Sequence, residues 1–172
     1  MERDHEILRH MLATIACRGG KAIRDAPEGF GSFRAEGCLN TPLVLLAHIG
    51  DLLEWAQRWC AGGGEASYKI SEPLDWSGEV GRFYGSLESF DQYLAAGGRL
   101  HARLETMMQA PLADALTHIG QLALLRRMAG DPVNGEAYRL AEIVAGRVGE
   151  EQAKPGRAFE RDKGAIWAER EG

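Results

Sequence analysis

At 172 residues, with 45% hydrophobic and 26% charged side chains, the chain is sized for one domain with its own core and lies outside the disordered class. Its formal net charge of -5 argues against nucleic acid as a partner, because phosphate binding wants a clustered positive surface. The longest apolar run, Pro42 to Ala47, is far below the roughly 20 residues of a membrane span, and no apolar signal core opens the chain.

The first predicted helix runs from about Asp4 to Asp25, with Ile7, Leu8, Met11, Leu12 and Ile15 at helical spacing and Asp4 as its N-cap. Gly19-Gly20 weakens its later turns. An irregular stretch follows to Asn40, pinned to the body by Phe30 and Phe33. The second helix opens at Asn40 as N-cap, with Pro42 in the first turn, where its missing N–H costs nothing. Val44, Leu45, His48, Leu52, Trp55 and Trp59 share a stripe, and Gly62-Gly63-Gly64 ends the helix.

The third helix, Trp76 to Ala96, repeats Val80, Phe83, Tyr84, Leu87, Phe90 and Leu94 at three and four residues, with Glu79, Arg82, Glu88 and Gln92 off the stripe. Gly97-Gly98 interrupts, and a short piece spans Leu100 to Met108. After Pro111 the fourth helix runs to about Met128, apolar on nearly all sides and so expected in the middle of a bundle. Gly130-Asp131-Pro132 stops it. Glu136 to Val148 reads as an extra C-terminal helix with Leu140, Ile143 and Val144 inward. Residues 149–172 form a charged extension that Phe159 and Ile166-Trp167 could dock. The expectation is an all-α four-helix bundle over residues 1–148, followed by this tail.

Cys17, Cys38 and Cys60 are odd in number, widely spaced and free of any CxxC pattern. That usage fits free thiols in a reducing cytoplasm. There is no GxSxG elbow, P-loop or GxGxxG motif. His5, His10 and His101 read as surface residues.

Three residues break the apolar pattern. His48 lies mid-stripe on the second helix, while Asp114 and His118, four apart, share one face of the fourth, continued by Gln121. A carboxylate inside an apolar bundle costs several kcal/mol unless its charge is offset. A divalent cation does so, and imidazole with carboxylate is a ligand set for zinc, nickel, iron or manganese. The plainer reading stays open: Asp114, three residues past Pro111, is also placed as a first-turn acid facing water. Trp55, Tyr84 and Gln121 are the expected walls of the pocket.

Two segments resemble a known family. Thr41-Pro42-Leu43-Val44-Leu45-Leu46-Ala47-His48-Ile49-Gly50-Asp51 is similar to the second helix of the DinB/YfiT-like superfamily, and Thr117-His118-Ile119-Gly120-Gln121-Leu122 to its fourth-helix signature. The likeness covers about residues 3 to 148. It implies an up-down-down-up bundle, often dimeric, with a divalent metal held by three histidines. His48 takes the first position, His118 the last, and Asp114 the middle one, where this chain departs from the pattern. The resemblance further implies a metal-dependent enzyme acting on a small molecule, either a transferase using a low-molecular-weight thiol or a hydrolase. The other reading is a non-catalytic stress-response or small-ligand-binding dimer that has lost its metal.

Overall fold

The computed structural model describes residues 2–158, and its regular structure is helical, with a single isolated bridge between Glu136 and Ala158. Helix α1 spans Glu2–Ile23. It starts before Asp4, so that residue is not the N-cap; as a first-turn acid it complements the positive helix end instead. Helix α2 spans Pro42–Arg58, and its N-cap is Thr41 rather than Asn40: the threonine Oγ1 accepts the Val44 N–H at 3.4 Å. A π turn, Trp59–Gly63, prolongs α2 until Gly62 and Gly64 adopt positive φ. Helix α3 spans Trp76–Ala95, capped by Asp75, whose Oδ1 accepts the Gly78 N–H at 2.7 Å.

The fourth helix differs from expectation. The short piece and the helix after Pro111 are one element, α4: Leu104–Met107, a π turn Met108–Leu112, then Ala113–Met128. Pro111 lacks the N–H for a regular ladder, and the wider turn absorbs it without breaking the helix. Nor is α4 central. Ala115, Ile119, Leu122 and Leu125 are buried, but Leu124 is 56% exposed.

The four helices share one core, in which Leu12, Leu46, Phe83, Phe90 and Leu122 are fully buried. Helix α1 packs on α3 and α4, and α2 packs on the same two. Side-chain pairs fix the directions. Arg9 meets Asp91 and Gly19 meets Phe83, so α1 and α3 are antiparallel. Ala47 and Asp51 meet Arg82, and Gln57 meets Ser89, so α2 and α3 run parallel. Gly19 approaches Ile119, and Arg126 donates to the carbonyls of Ala22 and Arg24, so α1 and α4 run parallel. In chain order the helices go up, down, down, up.

Parallel α2 and α3 require the chain to travel back the length of a helix. Residues 64–75 do this as a strap along α2. Trp55 Nε1–H donates to the Glu65 carbonyl at 3.0 Å, Arg58 Nε–H to the Ser67 carbonyl at 3.3 Å, and the Ser71 N–H donates to Asp51 Oδ2 at 3.1 Å.

The extra C-terminal helix is absent. Between Gly130 and Ala158 the described residues hold one 3-10 turn, Tyr138–Leu140, in otherwise irregular backbone. Leu140 and Val144 are 44% and 47% exposed, Ile143 packs partly buried against the core as expected, and Val148 is buried in it. Anchors to α1 outweigh the weak helical period: Lys21 Nζ donates to Glu136 Oε2 at 2.8 Å, and Arg18 stacks on Tyr138. Phe159 and Ile166-Trp167 lie outside the described residues. No helix among the described residues is long and apolar enough to cross a membrane.

Candidate metal centre

Antiparallel α2 and α4 meet at a seam where all three expected ligands converge. His48, Asp114 and His118 each offer one ligand atom, and these atoms lie within 4.8 Å of one another. Asp114 and His118 are one turn apart, so their side chains stack along one face of α4, opposite His48. The Asp114 carboxylate faces both imidazoles, with Oδ1 3.3 Å from His118 Nε2 and Oδ2 3.8 Å from His48 Nε2. These separations exceed a charge-assisted hydrogen bond of about 2.7–2.9 Å. The shorter one is close to the edge of about 3.4 Å between two ligands each about 2.1 Å from a tetrahedral ion, and the longer one is wider than it.

The far nitrogen of each ring is held. Gln121 Oε1 accepts from His118 Nδ1–H at 2.8 Å, which leaves a lone pair on Nε2. Tyr68 Oη, from the strap, lies 3.0 Å from His48 Nδ1. Such outer partners orient ligating imidazoles in metal sites. The rings meet edge to face with centroids 4.7 Å apart.

Electrostatics favour the ligating form of His48. Burial lowers its pKa, the neighbouring His118 lowers it further, and Asp114 pulls only partly the other way. The imidazole is therefore neutral at neutral pH. Tyr68 is pushed up by burial and then by the charges of Asp51 and Asp114, so it remains a phenol. His48, Asp114 and His118 thus form a group able to hold a metal ion.

Asp114 is not the buried acid that the helical pattern suggests. Its side chain is 47% exposed, against 33% for His48 and 17% for His118, so the group opens to solvent. Of the expected walls, Gln121 touches His118, and Trp55 stacks on Trp59 and packs edge-on against Tyr68. Tyr84 does not belong here; it lies against Gly20 of α1 on the other side of the bundle.

Two features escaped sequence reasoning. Tyr68 sits in a strap without periodicity, and its signal lies only in the length needed to return the chain between parallel helices. Arg82, read as off the stripe, sits where α2 and α3 meet. Its guanidinium donates to Asp51 at 2.5 Å and Glu54 at 2.8 Å, and lies 3.5 Å from Glu79. Asp51 and Glu79 are themselves buried, at 2% and 0% exposure. Comparison of the chain with protein-family models, with curated proteins and with solved structures returned no match.

Proposed function

We propose that this chain is a DinB/YfiT-like bundle that holds a divalent metal on His48, Asp114 and His118 and uses it in small-molecule chemistry, as a thiol S-transferase or a hydrolase. The observation that carries the reading is the inward aim of both Nε2 atoms and the carboxylate, with both Nδ1 atoms held by Gln121 and Tyr68. The donor set of two imidazoles and one carboxylate suits zinc, nickel, iron or manganese. Such an ion lowers the pKa of a bound thiol or water and so supplies a nucleophile at neutral pH. The protein's own share is orientation. Gln121 and Tyr68 hold the ring planes, and the exposed flank of Asp114 leaves a side by which a substrate enters.

The up-down-down-up order of the helices supports the same kinship, which carries with it the expectation of a homodimer. Three free cysteines accord with a reducing, cytoplasmic setting.

The test is elemental analysis of protein purified without a histidine tag, together with a thiol-conjugation and an ester-hydrolysis assay on metal-loaded protein. We expect about one ion per chain and its loss in Asp114→Ala and His118→Ala. Wild-type protein that neither carries nor retains metal would reduce the chain to a non-catalytic helical module. Retention without turnover would leave a binding site and remove the enzyme.

A further inference from the structure

On the other side of α4, facing α1, lies a cavity of about 220 Å³. Arg18 and Lys21 of α1 form its polar end, and Leu116, Ile119, Ala123 and Val133 its apolar wall. The two cations are not equivalent. Lys21 is already paired with Glu136 at 2.8 Å. Arg18 lies against the Tyr138 ring, 4.0 Å from its centroid, and its Nε is buried with no hydrogen-bond partner. Among the described residues no carboxylate pairs with Arg18. A guanidinium carries five N–H donors in a planar fork that matches a carboxylate, and a buried donor without an acceptor is costly.

We infer that this cavity binds a small monocarboxylate with a short apolar body, its carboxylate on Arg18 and Lys21 and its body along Leu116, Ile119 and Ala123. Charge sets the class. Arg18 and Lys21 against Glu136 leave one positive charge, which one carboxylate neutralises and a phosphate dianion exceeds. Size agrees, since the space holds about seven water-sized groups at about 30 Å³ each. Ligand sites of this kind pair an apolar lining with a few placed polar groups. The inference does not rest on the metal reading, because Asp114 and His118 face α2 while Ile119 and Ala123 line the cavity on the α1 side.

Calorimetric titration of the full chain with hexanoate, in excess chelator, tests this directly. Hexanoate binds one saturable site, hexanamide binds at least tenfold more weakly, and inorganic phosphate does not compete. Arg18→Gln weakens hexanoate about tenfold or more, as expected for loss of a charged hydrogen-bonding partner. Ala123→Phe fills the apolar end and removes binding, with the helical circular dichroism unchanged. Absence of hexanoate binding, equal binding of hexanamide or effective competition by phosphate each overturns the proposal, and none of these needs a variant to fold.

Discussion

Each imidazole at the α2–α4 seam has one nitrogen held by a protein partner and the other turned toward Asp114. Loss of the partner therefore frees the ring without removing a ligand. Gln121→Leu is expected to weaken metal binding about 10- to 100-fold, the usual cost of an outer-shell change, while His118→Ala abolishes it. Competition with a chromogenic chelator separates the two. The cysteines separate by environment. Cys38 is exposed, while burial raises the Cys17 thiol and pushes Cys60 from 9.0 up to about 11. A thiol whose folded pKa is raised stays protonated in the native state while the unfolded chain releases its proton first. Stability is then lost as pH rises from about 9 to about 11, by up to about 3 kcal/mol. Cys60→Ala should flatten that part of the melting-temperature profile. In native protein at pH 8, one fast thiol, Cys38, should react with a disulfide reagent, and Cys60 only after unfolding.

Where α1 crosses α3, two glycines allow the backbone to come close. A Cβ at Gly19 would stand 2.4 Å from Phe83 Cζ, and Phe83 is 1% exposed, so the ring has nowhere to go. Gly19→Ala should cost about 1–3 kcal/mol by overpacking, despite its better helix propensity. Gly85→Ala on the open face of α3 meets nothing within 4 Å and should gain about 0.4–1 kcal/mol. Paired thermal melts test the contrast. The α2–α3 contact depends on Arg82 in a similar way. Burial alone would raise the Glu54 pKa, but the Arg82 and Arg58 guanidiniums more than offset it, and the carboxyl ends below its ordinary range. Its contribution is present above the ordinary carboxylate range and lost as pH falls through the lowered pKa. Arg82→Met strands the buried Asp51 and Glu79 and should cost about 3–5 kcal/mol at pH 7. The apolar periods of α1 to α3 were readable because each faces one core. Gly19-Gly20 read as a weak point because a close approach and a helix break share the same residues. The period at Leu140, Ile143 and Val144 misled, since a few apolar residues at the right spacing cannot outweigh anchors that fix the backbone elsewhere.

At the scale of the whole molecule, the convergence of His48, Asp114 and His118 was legible because His48 interrupts an apolar stripe and the i, i+4 spacing puts the other two on one face of α4. Tyr68 and the exposure of Asp114 were not, because both depend on the strap and on how deeply α2 and α4 sit. That placement has a thermodynamic consequence. His48 belongs to α2, whereas Asp114 and His118 belong to α4, so an ion on all three would tie two antiparallel helices together at this seam. Unfolding separates the ligands, and an ion that binds only the folded chain stabilises it by about 2.7 kcal/mol at a hundredfold excess over Kd. For a chain of this size that is a rise of roughly 5–10 °C in Tm, at about 2–4 °C per kcal/mol. Scanning calorimetry with zinc, nickel or manganese against chelator should show the shift. Asp114→Asn should erase it while leaving the chelated Tm within about 2 °C of wild type, because a half-exposed side chain contributes little to the apo fold. Hydrogen exchange should then report the added protection on α2 and α4 before α1 and α3. A wild-type Tm that is the same with ion and with chelator would refute the tie between the two helices.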